Sequence, residues 1–146
     1  MHYAVSGKTA AEIITERADS KKPLMGLTNF SGLNPIQRDI YIAKNYLNEK
    51  ELQMLNRIVD AYLSFAEVQA KSELAMTMKD WIKKLDEYMA LLGKGILSNA
   101  GKVSHEVAEA LALKEYDKYR VIQDHDYISD FDREVKKLLG AKKKKK

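Results

Sequence analysis

The residues best suited to chemistry lie in one short segment, residues 101–106, whose sequence is GKVSHE. A glycine-containing turn at a helix N-terminus exposes backbone amides that can hold an anion, and Lys102 would add positive charge. Ser104 and His105 could suggest a nucleophile and its base, but adjacent residues on a helix do not face each other. The segment therefore predicts a helix cap at Ser104, with anion or partner binding as the alternative.

A second polar segment, residues 6–9 (SGKT), ends like a phosphate-binding loop. The Walker loop needs another glycine five positions before Gly7, where this chain has His2, and it needs a buried strand before it. The chain also lacks a glycine-rich dinucleotide fingerprint, a G-x-S-x-G elbow and an H-E-x-x-H helix. We predict no nucleotide site, no cofactor and no catalytic residue.

Acidic residues gather around His125, with Asp124 and Asp126 beside it and Asp130 and Asp132 close by. Imidazole and carboxylate ligands suit a divalent metal, which leaves a metal site as an alternative. No second histidine stands at helical ligand spacing, and helix N-termini attract acidic residues because of the helix dipole. The cluster is therefore interpreted as a helix boundary, and no metal is predicted.

Periodic apolar residues predict the helices that would position these segments. The clearest helix covers residues 48–71, where Leu52, Leu55 and Val59 begin a core-facing stripe on which the other helices are expected to pack. Capping pairs of the form cap-x-x-acid also predict helix starts near residues 9 and 77, and further helices follow residue 104 and a break near residues 123–126.

The connections between these helices are less uniform. Residues 20–37 hold the densest set of chain breakers and predict a long loop, whose apolar part, residues 25–30, should pack on the helices. Residues 39–47 are compatible with a short strand or a helical turn, but no second strand exists to pair with them. We predict an all-α fold, a compact bundle of about four to five helices with a long N-terminal connecting loop.

Composition limits the class of protein. The chain of 146 residues has no cysteine and no apolar run near the ~20 residues that span a bilayer, which predicts one soluble, cytoplasmic domain over residues 1–141. Its +4 net charge comes from the end of the chain, because residues 1–141 hold 20 basic and 21 acidic residues. A disordered tail able to contact nucleic acid without specificity is predicted for Lys142, Lys143, Lys144, Lys145 and Lys146.

Several ordered blocks of the chain resemble one family. They are residues 2–5, 7–12, 16–19, 25–28, 43–49, 55–59, 65–67, 80–81 and 101–106, with sequences HYAV, GKTAAE, ERAD, MGLT, AKNYLNE, LNRIV, FAE, DW and GKVSHE. Together they resemble the C-terminal half of the RhuM family of bacterial virulence-associated proteins. Full-length members resemble two-part proteins with an N-terminal helix-turn-helix region, which is absent here, so we expect a natural short form or a fragment. The resemblance implies neither DNA binding by this chain nor catalytic residues.

Two functional hypotheses follow. The first is a non-catalytic helical interaction or oligomerisation module, in which a protein partner or a second copy binds. The alternative is an unrecognised enzyme or nucleic-acid-acting protein with a polar site near Arg17, Lys44 and His105, and it requires the candidate residues to converge in space. The candidate binding residues are Arg17, Asp19, Thr28, Lys44, Asn45, Lys102, Ser104 and His105.

Overall fold

A computed structural model describes residues 1–126 and 130–143 and confirms the all-α class, with no strand in these two ranges. Its helices are α1 (His2–Ser6), α2 (Ala10–Arg17), α3 (Glu49–Lys71), α4 (Met78–Leu91), α5 (His105–Asp126) and α6 (Asp130–Lys143). Three 3-10 turns cover Pro23–Gly26, Asp39–Tyr41 and Ala43–Tyr46. The segment over residues 39–47, left open between strand and helix, therefore forms two short helical turns.

The core is built where α2 packs on α5, and the 3-10 turns close over both helices. Ile13 and Ile14 of α2 are fully buried, and Ala108 and Ala112 of α5 let the two backbones approach closely. The prediction that α3 is the centre of the core was wrong, because only Leu55 of its apolar stripe is buried. An apolar stripe shows which face of a helix is hydrophobic, but it does not show what covers that face.

The long connection between α2 and α3 folds over the core, as predicted for its apolar part. Met25 and Leu27 are buried in it. Side chains hold the following turns in place: the Tyr46 hydroxyl donates to the Ile40 carbonyl at 2.9 Å, and the Asn45 amide donates to the Asp39 carbonyl at 2.9 Å. These bonds satisfy backbone groups that no regular helix or strand would satisfy.

Helices α3 and α4 form a hairpin joined by aromatic rings. The ring of Tyr62 packs edge-on against Trp81, with centroids 6.4 Å apart, and lies 5.7 Å from the ring of Tyr88. The Tyr62 hydroxyl also donates to the Trp81 carbonyl at 2.9 Å. Beyond this seam the hairpin keeps large apolar side chains exposed, including Leu63, Ile82 and Leu91.

Some boundaries differ from the sequence prediction. The short helix α1 was not predicted, and α5 continues to Asp126 through the expected break at residues 123–126. Helix α6 includes Lys142 and Lys143, whereas the rest of the predicted lysine tail, residues 144–146, lies outside the described residues. The division into one domain and a tail stays a prediction.

One carboxylate on α5 should make the fold sensitive to acid. Glu115 accepts the buried Ser20 amide at 2.9 Å and pairs with Lys118 at 2.5 Å. The Lys118 ammonium first, and then the Ser20 amide, lower the pKa of Glu115 from 4.5 to about 2. The stabilisation of the fold by ionised Glu115 is therefore complete above about pH 4.5 and is lost as the pH falls toward 2.

We expect Glu115→Ala to lower the free energy of unfolding by about 1–2 kcal/mol near pH 7 and by little near pH 2, measured by urea unfolding at each pH. An equal cost at both pH values would contradict this role.

Candidate functional site

A cleft of the described chain lies where the turn after α1 meets the loop that precedes α5. Its volume is about 530 Å³. The residues that line it come from α1, α2 and the two loops: Tyr3, Gly7, Lys8, Glu12, Thr15, Glu16, Leu97, Asn99, Gly101, Lys102 and Val103. The two polar segments singled out in the sequence, residues 6–9 and 101–106, therefore meet at one site.

Glu12 joins the two sides of this cleft. Its carboxylate accepts the Thr9 amide at 2.8 Å, which completes the predicted capping box of α2, and accepts the Lys102 amide at 2.8 Å. The hydrogen bond from the Lys102 backbone is the main cause of the lowered pKa of Glu12, followed by the bond from Thr9. The sequence indicated the cap, but the second bond spans 90 residues and had no local signal.

A side chain at position 101 would clash with the start of α2, so glycine suits this position. Its φ of +82° is left-handed, and a Cβ atom there would lie 2.6 Å from the Thr9 methyl carbon. Asn99 accepts the Gly101 amide at 2.8 Å and so holds the loop from the other side. The loop is therefore fixed against the start of α2 by backbone conformation as well as by hydrogen bonds.

The charges in the cleft largely satisfy one another. Lys8 forms an ion pair with Glu16, and both acceptor oxygens of Glu12 are already used. The Thr15 hydroxyl donates to the Ala11 carbonyl at 2.8 Å. Because these groups are bonded to one another, the cleft resembles a structural junction between the two segments. It does not resemble a catalytic site, in which a base would activate a nucleophile.

The first set of predicted binding residues surrounds the turn before α3. Arg17 makes two bonds to the Glu51 carboxylate, at 2.6 and 2.8 Å, and donates to the Tyr46 carbonyl at 2.9 Å. The Thr28 hydroxyl donates to carbonyls of this same turn, those of Asn45 and Leu47. These side chains are joined to one another through protein groups rather than directed at an open space.

The other predicted residues form separate local contacts, and of these only Lys44 lies in the same turn as the first set. Asp19 accepts the Lys21 amide at 2.9 Å, and the half-buried Lys44 contributes its carbonyl to the Leu47 amide. Ser104 caps α5 by accepting the Val107 amide at 3.3 Å, as predicted. His105 pairs with Glu109 one turn further along α5 at 2.9 Å. Only Lys102 of the eight candidates lines the cleft.

A second surface feature is an apolar groove between α3 and α4. It has a volume of about 220 Å³ and is lined by Phe65, Lys84, Glu87, Tyr88 and Leu91. Leu91 is 84% exposed at its rim. The sequence prediction missed this groove, because helical spacing places residues on an apolar face of α4 but does not show that this face is exposed. Apolar side chains exposed along one edge of a hairpin are typical of an interface.

Residues 1–126 and 130–143 lack two further features, a cluster of metal ligands and a membrane-spanning helix. These residues hold no cluster of three potential metal ligands, and His125 lies exposed with Nδ1 3.2 Å from an Asp126 oxygen. None of the helices in the same ranges is both long enough and apolar enough to cross a bilayer.

Comparison with known proteins identifies the family of the chain. The family model described as "Virulence protein RhuM family" matches residues 1–128. The chain belongs to this family. The match covers α1 to α5 and both sides of the cleft, while α6 lies beyond it. Which half of the full-length RhuM proteins this chain corresponds to stays a prediction.

The RhuM-family chain also has more distant similarities. It is 25% identical over 118 residues to small ribosomal subunit protein uS9 of Borrelia turicatae, covering 79% of this chain and 87% of that protein. It is 23% identical over 129 residues to the uS9 protein of Borreliella burgdorferi, covering 84% and 95%. No solved structure matches the RhuM-family chain.

Proposed function

We propose that the chain is a non-catalytic helical module that works by self-association or by binding a protein partner. The observation that carries this proposal is the exposed apolar surface of the α3–α4 hairpin and α6. Leu91 on α4 and Phe131 on α6 are 84% and 76% exposed. A RhuM-family core made by α2 and α5 leaves these surfaces uncovered, and their burial against another surface would be favourable.

The test is the mass of the full chain in solution. Analytical ultracentrifugation from low to high micromolar concentration should show a reversible increase in mass. Leu91→Lys should weaken this association because it places a charge on the apolar rim, whereas Ala90→Lys, at an exposed position beside it, should not. A monomer at every concentration, with both variants behaving alike, would contradict self-association.

Nucleic-acid binding is a second candidate, and the similarity to the ribosomal proteins favours it. The lysines at the end of the chain would supply the counterion release that drives such binding. Binding to duplex DNA and to RNA should be measured over a salt series for the full chain and for a version that ends at Ala141. Affinity that survives removal of the lysines would support a nucleic-acid surface on the folded helices, and affinity that disappears would indicate a nonspecific electrostatic contact.

A further inference from the structure

The groove between α3 and α4 and the apolar face of α6 match each other within one chain. Phe131, Val135 and Leu138 stand at positions i, i+4 and i+7 of α6, so they share one face. Phe131 and Leu138 are 76% and 67% exposed. A helix with such a face is the usual occupant of a groove between two helices, where its apolar side chains enter in turn.

The groove is apolar where such side chains would enter. Phe65 and Tyr88 line it, and the exposed Leu91 stands at its rim. Its charged residues, Lys84 and Glu87, are bonded to each other at 2.9 Å across one helical turn. The groove therefore combines apolar lining residues with a basic residue followed by an acidic one along the direction of α4.

The charges beside the α6 face have the opposite order. Glu134 precedes Lys137, and the two are bonded at 2.7 Å. When α6 runs parallel to α4, Glu134 lies opposite Lys84 and Lys137 lies opposite Glu87. The equal spacing of three residues in both pairs allows both cross-pairings in one register. Exposed pairs of this kind add little affinity but specify orientation and register.

We propose that α6 of one copy of this chain binds the α3–α4 groove of a second copy, parallel to α4, in a reciprocal exchange. This inference rests on the proposed self-association and names the surfaces that carry it. In a reciprocal exchange each copy buries its α6 helix against the other, so two such contacts contribute buried surface instead of one. This matters because specific stable interfaces generally need roughly 1,200 Å² or more of buried surface. Homodimers with two-fold symmetry use each patch twice in this way.

Charge exchange tests the pairing without removing the bonds inside each helix. The double variant Lys84→Glu with Glu87→Lys keeps an acid–base pair on α4 but reverses its order, and Glu134→Lys with Lys137→Glu does the same on α6. Each double variant places like charges opposite each other at both contacts of the reciprocal dimer, and this repulsion should weaken self-association about tenfold. The chain that carries all four changes should recover it. Unchanged association in both double variants, or no recovery in the fourfold variant, overturns the register.

Cross-linking distinguishes exchange between copies from packing within one copy. The chain has no cysteine, so Leu91→Cys and Leu138→Cys each introduce a single thiol. A mixture of the two single variants, treated with a short bis-maleimide, should give cross-linked heterodimers. Cross-linking that occurs only within a chain carrying both cysteines overturns the exchange.

Sedimentation of the same samples separates this inference from the proposed function. A chain that is dimeric but forms no heterodimer between positions 91 and 138 overturns the α6 exchange and leaves self-association in place. A chain that is monomeric at every concentration overturns both.

Discussion

Gly26→Ala is expected to lower the free energy of unfolding by about 3 kcal/mol or more, one of the largest effects of any single substitution in this chain. Gly26 has a φ of +83°, and a Cβ atom there would collide with the backbone carbonyl oxygen of Arg17. A backbone atom at the end of α2 cannot rotate away as a side chain could. The turn would have to lift from the helix, and the buried Met25 would lose its position.

This turn already stores backbone strain. Leu24 and Met25 have φ values of 52° and 58°, a left-handed conformation that costs L-residues roughly 1–2 kcal/mol each. Complete burial of the Met25 side chain offsets part of that cost, since it contributes about 1.5–3 kcal/mol. A shift of the turn would keep the strain and lose the burial.

Gly32→Ala is the matched control for Gly26→Ala. Gly32 also has a left-handed φ, +95°, but nothing lies within 4 Å of its would-be Cβ atom. Gly32→Ala should therefore lower the free energy of unfolding only by the conformational penalty of about 1 kcal/mol. Urea unfolding followed by circular dichroism compares the two variants. Equal losses would show that the close approach to Arg17 does not matter, and that strain alone explains the sensitivity.

Helix starts were predictable because their signals are local. The capping boxes at Thr9 and Thr77 were recognised from a polar residue and an acid three positions later, and both form in the structure. A cap depends on atoms within one turn of the chain, so the sequence contains the whole interaction. The all-α class followed from the same patterns and from the lack of a second strand.

The packing partners of the helices could not be predicted in this way. Residues 39–47 become 3-10 turns because Thr28, Asn45 and Tyr46 bond to backbone groups from six to nineteen positions away. The stripe on α3 was read as the main core, but the small residues of α5 accept α2 instead. Nothing in a single helical pattern states which other face it meets.

The candidate site was predicted in part. The segments around Gly7 and Gly101 were both singled out, yet only the structure shows that they line one cleft and that Glu12 joins them. Arg17 was chosen as a possible ligand-binding residue because sequence cannot show its partner Glu51, 34 positions away. The groove between α3 and α4 was missed because exposure of an apolar side chain is a tertiary property.

Arg17→Ala should lower the free energy of unfolding by about 2–4 kcal/mol, because it breaks a largely buried, two-bond ion pair. The side chains of Arg17 and Glu51 are 22% and 15% exposed. Glu51 also completes the cap of α3 by accepting the Asn48 amide at 2.9 Å, and Arg17 is the main cause of its lowered pKa. The substitution leaves that carboxylate without its cation and the Tyr46 carbonyl without its donor.

Two variants show whether geometry or charge carries this effect. Arg17→Lys keeps the positive charge but cannot make two parallel bonds, so it should recover only part of the loss. Lys71→Ala breaks a mostly exposed pair with Glu67 at the other end of α3 and should cost under about 0.5 kcal/mol. Full recovery by lysine would indicate that charge alone suffices. A loss for Arg17→Ala as small as that for Lys71→Ala would mean that the junction between α2 and α3 does not depend on this pair, and that Arg17 is free to serve a ligand.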